Sequence, residues 1–327
     1  MKNKVIMLLI LTVVAMIFVE TTCYSDNNSQ LIPFKQYFRW GYRNREGDMV
    51  IRPQFTKAQT FSEGLAAFQE GFINKKGMLA FRLAAENIGS FSEGLAPVKI
   101  KGKCGYVDHD GKISIPLAFD DAGDFSEGLA PAKSEDSWGY IDKTGAWILK
   151  PKYDYAYPFS EGLAAVKLKS DWGYINKQGS FIIKPQYYRA RPFSEGLALV
   201  HFNESEKEYI NKKGMTMLIP KCVDAGNFSY GLAAVKQNGK WDFIDKTGVL
   251  KIPFQFIKVG IFSKGLAPVC ADRFCKKWGY INTEGKLILP CIYNEAFSFF
   301  IIANLHCNFA LIVIIYGYEI FTESYYE

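Results

Sequence analysis

An all-β fold, a tandem array of about eight three-stranded antiparallel meanders, is predicted by three observations. The segment Phe-Ser-Glu-Gly-Leu-Ala recurs at Phe61, Phe91, Phe125, Phe159 and Phe193, and in looser form at Phe228 and Phe262, at intervals of 30, 34, 34, 34, 35 and 34 residues. A second motif, Trp-Gly-Tyr-Ile followed by Asp or Asn, runs in phase with it at Trp138, Trp172 and Trp278. Between the many turn glycines and prolines, no run keeps apolar residues at helical spacing for the ten or so positions a helix needs. A period near 34 residues also fits helical arrays, but these residue types exclude them.

Lys2 and Lys4 precede an apolar stretch from Val5 to Val19, broken only by Thr12, and polar residues follow from Glu20. Residues 1–23 therefore read as a secretory signal or N-terminal anchor, and 24–37 as a linker. Fifteen residues are short for a membrane span. Cys23 is a candidate for lipidation, although Glu20-Thr21-Thr22 is a poor match to such a processing site. Cleavage, lipidation and retention as an anchor all imply an exported array, whether periplasmic, cell-surface or secreted.

The array occupies 38–298. In the copy that starts at Phe159, Gly162 to Lys169 is a first strand and Trp172 to Asn176 a second. Asn176-Lys177-Gln178-Gly179 reads as a tight turn whose glycine takes positive φ. A third strand, Ser180 to Lys184, is expected to stop at Pro185, which cannot donate to a ladder. Phe-Ser-Glu-Gly reads as a turn in which the Gly supplies positive φ, the Ser bonds local backbone and the Phe anchors the connection. An open twisted array is the first expectation, because three strands in 34 residues are few for a propeller blade; a closed β-propeller-like ring is the alternative. From Phe299 to Glu327 the pattern is abandoned, leaving a divergent tail at 299–327.

The succession GLAAVK, WGYIN, turn glycine, IIKPQY and FSEG is similar to the WG-repeat, or KWG-repeat, family of bacterial proteins. Degenerate copies at Trp40, Gly71, Cys104, Tyr209 and Trp241 bring the number of in-phase units to eight. The resemblance implies an all-β repeat array, often exported, with no catalytic residues to transfer.

The residues themselves point the same way. No Cys/His cluster has zinc spacing, only three histidines are present, and no histidine recurs beside the repeated Ser-Glu, so neither a metal nor any other cofactor is expected and the chain does not read as an enzyme. The net charge of +6 is spread over turn lysines without a dense basic run, which argues against nucleic acid as a partner. Asp108-His109-Asp110-Gly111 resembles part of a calcium loop, but it occupies the ordinary hairpin turn. Cys270 and Cys275 bracket an insertion in the hairpin after Phe262, where a disulfide can close it.

The motif aromatics are the candidate binding residues: Trp40, Trp138, Tyr140, Trp172, Tyr174, Trp241, Trp278 and Tyr280. Trp and Tyr lie two residues apart, hence on one face of a strand. Buried, they would form the core between repeats, with the intervening Gly letting a neighbouring sheet approach; exposed, they would stack on sugar rings. Core energetics favour burial. The function expected is therefore a non-enzymatic protein-binding scaffold at the bacterial cell envelope, working through loop tips on an envelope or extracellular protein. The alternative is a polysaccharide- or peptidoglycan-binding module using exposed Trp and Tyr.

Overall fold

The computed structural model describes residues 31–293 except 37, 44–47, 218–221, 264, 273 and 276. The expected signal or anchor with Cys23, most of the linker and the tail at 299–327 lie outside the described residues. Within them the fold is all-β: eight small antiparallel sheets follow one another along the chain, two of three strands and six of four. Strand pairing closes no barrel or ring among the described residues.

The fifth sheet shows how the repeat is built. Its strands are Tyr155–Ala156, Ala164–Leu168, Asp171–Ile175 and Phe181–Tyr187, in that spatial order. The three long strands are the expected meander. The two-residue strand is an addition: just before each Phe-Ser-Glu-Gly segment the chain pairs briefly with the strand that follows it, as Tyr155↔Lys167 and Ala156↔Val166.

Three expectations need correction. The outer strand does not stop at Pro185 but runs on to Tyr187. It can do so because it is the edge of its sheet and bulges at the proline: Tyr174 pairs with Ile183, whereas Trp172, two residues back, pairs with Tyr187. An edge bulge is where a missing N–H is tolerated. The bulge also explains the motif glycine. A Cβ on Gly173 would lie 2.6 Å from the Ile183 carbonyl oxygen and 2.7 Å from the Pro185 nitrogen, so glycine admits the partner strand of its own sheet rather than a neighbouring sheet.

Phe-Ser-Glu-Gly is a two-residue hairpin closed by Ser160 N–H to the Leu163 carbonyl and Leu163 N–H to the Ser160 carbonyl. Both corner residues have positive φ, Glu161 at 55° and Gly162 at 86°, the geometry of a type I′ turn. The Ser hydroxyl, however, does not bond local backbone. Ser160 Oγ donates to the Phe193 carbonyl at 2.7 Å, one repeat ahead, as Ser62 does to Phe91, Ser92 to Phe125, Ser194 to Phe228 and Ser229 to Phe262.

The cores lie between successive sheets. Tyr140, Tyr153 and Phe159 pack with Ala164, Val166 and Ile175 of the next unit, and the same pattern recurs from one end to the other. The Asp108 turn is an ordinary hairpin: its carboxylate accepts from the Asp110 and Lys112 N–H groups, as Asp142 and Asn176 do in their turns.

Candidate functional site

The expected ladder is not one exposed row. Tyr140 and Tyr174 are fully buried, Tyr280 nearly so, and Trp138 is only 7% exposed, while Trp40, Trp172, Trp241 and Trp278 are half-buried. The tyrosines are part of the framework. Tyr140 and Tyr174 each pack the ring 4.8 Å from the next Phe of Phe-Ser-Glu-Gly, Tyr140 on Phe159 and Tyr174 on Phe193. Their hydroxyls donate to carbonyls at the end of the short strands: Tyr106 to Gly123, Tyr140 to Tyr157 and Tyr174 to Arg191. Cys270 and Cys275 are joined by a disulfide with Cα atoms 5.5 Å apart.

A second repeated network runs along the hairpins. Glu127 accepts from the Gly162 N–H at 3.0 Å and meets Lys177 at 3.3 Å; Glu93 does the same with Gly128 and Lys143, and Glu161 with Gly196 and Lys212. His109 takes the lysine's place opposite Glu63. Where the glutamate becomes Tyr230, the turn that should answer it carries Thr283, so both partners are absent together. The turn lysines Lys143, Lys177, Lys212 and Lys246 are thus each paired with a glutamate one unit away.

Free positive charge gathers elsewhere. Between the fifth and sixth sheets lies a cleft of about 530 Å³ lined by Tyr157, Trp172, Tyr188, Arg189, Arg191 and His201, with Lys167 and Ser170 at its margin. Across the sixth sheet it is followed by a second cleft of about 420 Å³ that shares Arg189, Arg191 and His201 and adds Lys207 and Lys236, with Glu204 and Asp224 opposite. Arg189 and Arg191 are exposed and form no ion pair with a carboxylate among the described residues; Arg189 lies 5.3 Å from the Tyr188 ring centre. Burial, then Lys207, Arg191 and Arg189, hold the His201 imidazole down at about 4, so it is neutral near pH 7.

An aromatic strip leads into the first cleft. Trp138 and Tyr155 have ring centres 5.3 Å apart, Tyr155 and Trp172 5.7 Å, and Tyr157 lies 5.3 Å from both Tyr155 and Trp172. Tyr155 is 42% exposed and Tyr188 40%. Of the sequence candidates, the cleft brings in Trp172 directly and Trp138 through the strip; Trp40, Trp278 and Tyr280 lie in other sheets.

Sequence reading by motif missed Tyr155, Tyr157, Arg189 and Arg191, because they are departures from the repeat. At the Arg189 position the other sheets carry Lys57, Asn87, Asp121, Tyr155, Asp224 and Lys258; at the Arg191 position they carry Gln59, Gly89, Gly123, Tyr157, Gly226 and Gly260. Gly89, Gly123 and Gly260 sit opposite prolines, whereas Gly226 faces Ala234; a Cβ on Gly89 would lie 2.6 Å from Pro97 and one on Gly123 2.9 Å from Pro131. Where Tyr157 and Arg191 replace glycine, Ala165 and Leu199 replace the proline. The large side chain in place of glycine is the signal that aligned repeats carry, since Gly226 keeps its glycine although Ala234 replaces the proline there too.

The fold and its period define the chain as a tandem β-repeat protein. It belongs to the family of WG-containing repeats, whose model matches residues 40–70, 71–104, 105–136, 138–170, 172–204, 209–241, 243–272 and 278–300. No curated protein matches it. Among solved structures it is similar to a eukaryotic initiation factor, at 11% identity and a TM-score of 0.56, over 84% of this chain and 87% of that one. It also matches the computationally designed Ika8 protein, at 10% identity and a TM-score of 0.49 over 80% and 95% of the two chains. BamB from Moraxella catarrhalis matches at 10% identity and a TM-score of 0.43 over 80% and 84%. Likeness at such identity concerns the fold alone.

Proposed function

We propose that the chain is a non-enzymatic, exported repeat scaffold that binds a partner at the bacterial cell envelope. The observation that carries this reading is the composite cleft at the fifth to seventh sheets, where adjacent repeats depart together from the periodic sequence to install aromatic rings and unpaired arginines on one surface. The remaining sheets supply a rigid frame for it, as repeat arrays do for one functional stretch of their surface. A protein partner at the loop tips and a polysaccharide in the cleft are the two classes to separate, and the strip Trp138–Tyr155–Trp172 favours polysaccharide because amphipathic rings offer flat faces at low entropic cost. The basic charge of the cleft is too local to favour a nucleic acid.

The test immobilises the full-length chain, exposes it to envelope extract, and analyses retained protein and polysaccharide separately against a folded Trp172→Ala control. Saturable retention of one partner, recovered chemically unchanged, supports a binding scaffold. No saturable retention, or recovery of a chemically altered partner, sinks the reading.

A further inference from the structure

The cleft between the fifth and sixth sheets combines three features that occur together nowhere else among the described residues. The first is its charge: Arg189 and Arg191 project from one two-residue strand and its exit, and neither forms an ion pair among the described residues, Glu204 and Asp224 lying in the adjoining cleft. The periodic lysines of the turns, by contrast, are held by glutamates at 3.1–3.3 Å. A guanidinium is a flat fork of donors shaped for a carboxylate, and two unpaired ones at the mouth of a cleft invite an anion. The second is the approach, where the exposed Tyr155 and the half-buried Tyr157 and Trp172 form a continuous wall that ends at the arginines. The third is local sequence: Tyr157 and Arg191 stand where three of the sheets have a glycine opposite a proline, and they face Ala165 and Leu199 instead.

Charge and rings together select among anions. An acidic peptide would dock most readily by extending a free sheet edge, but the edge that faces the cleft is only Arg189–Ala190. Single-stranded nucleic acid stacks whole bases on ring faces, whereas the Trp172 ring is half-buried and leans on Tyr157 at 5.3 Å and 30°. A sugar ring needs only part of an aromatic face, and its carboxylate lies beside the ring.

We propose that this cleft binds an acidic polysaccharide, with Arg189 and Arg191 holding a uronate carboxylate while Tyr155, Tyr157 and Trp172 carry the adjoining sugar ring. Ser170 and Lys167 at the margin bond ring hydroxyls. The inference rests on the binding-scaffold reading and gives its partner a chemistry.

The full-length chain is titrated calorimetrically with hexagalacturonate, with the fully methyl-esterified hexamer and with oligo-dT, alongside Arg191→Gln, Arg189→Gln and Trp172→Ala variants whose fold is checked by near-ultraviolet circular dichroism. The expected result is saturable binding of hexagalacturonate that weakens tenfold or more in Arg191→Gln and with added salt, and no binding of the ester. Lys143→Ala, a turn lysine outside the cleft, leaves the affinity unchanged. Equal binding of the ester overturns the acidic specificity while leaving a sugar-binding scaffold in place. Tighter binding of oligo-dT overturns the polysaccharide in favour of nucleic acid. If no titrant binds while the envelope pull-down retains a protein, the cleft assignment fails and the scaffold reading survives.

Discussion

The hydroxyl of Tyr174, fully buried beneath the fifth sheet, donates a hydrogen bond of 2.8 Å to the carbonyl of Arg191. A framework residue of the WG motif therefore fixes the backbone that carries a cleft arginine. Burial pushes the phenol far above its usual range, so it remains a donor at any working pH. Losing a buried hydrogen bond of this kind costs about 1–2 kcal/mol. Tyr174→Phe should lower the urea midpoint accordingly and weaken hexagalacturonate binding severalfold. Tyr106→Phe breaks the same bond, to Gly123, two sheets away, and should lower stability equally with no change in affinity. Equal affinity loss in both variants would show a general loosening instead of a local one.

The glutamates of the repeated hairpins act mainly as acceptors for backbone. Glu127 bonds the Gly162 N–H and meets Lys177, with side chains 28% and 40% exposed. An ion pair so exposed is worth under about 1 kcal/mol. Glu127→Gln, which keeps an acceptor, should cost less than Glu127→Ala, at about 1 kcal/mol. A double-mutant cycle with Lys177→Ala in chemical denaturation should give a coupling that vanishes at high salt. A large, salt-insensitive coupling would mean that charge, not the backbone bond, ties the repeats.

How much of this was legible beforehand depended on periodicity. Phe159, Trp172, Tyr174 and Gly179 could be placed on strands and turns because each recurs in phase, and period two along a strand puts Trp and Tyr on one face. The strand Tyr155–Ala156 could not, since two residues carry no period. Nor could the forward bond of Ser160 to Phe193, because a hydroxyl in a turn has local acceptors that compete equally in sequence terms. The cleft was hidden for the opposite reason. Tyr157 and Arg191 are exceptions to the repeat, and their partners Ala165 and Leu199 become meaningful only once the register sets them opposite.

Two glycines of the fifth unit should respond differently to the same change. A Cβ at Gly173 strikes backbone atoms of Ile183 and Pro185 that cannot move without undoing the bulge. Gly173→Ala should therefore cost about 2–4 kcal/mol. Gly162 faces open space and is constrained only by its φ of 86°, so Gly162→Ala should cost about 1 kcal/mol. Thermal denaturation of the two variants decides the matter; comparable losses would mean that the bulge relaxes.

The seventh sheet has already lost that glycine, and its pH response follows. Asp242 stands at the Gly173 position, is 0% exposed, and neither carboxylate oxygen has a hydrogen-bond partner in the structure. Burial raises its folded pKa from 3.8 to about 7. Because the folded value is the higher one, the neutral acid is favoured in the folded state. The stability it contributes is fully present below pH 4 and is lost as the pH rises to 7, at about 1.4 kcal/mol per pH unit. The total is on the order of 4 kcal/mol. Asp242→Asn keeps the shape without the titration, so its advantage over the native chain should be small at pH 4 and should grow up to about pH 7. Asp242→Gly should show the same growth. His201, whose depressed pKa removes stability as the pH falls below 6.5, is common to all three chains and cancels in the comparison. Parallel stability curves for the native chain and Asp242→Asn between pH 4 and 8 would show that the carboxylate is solvated in the folded state.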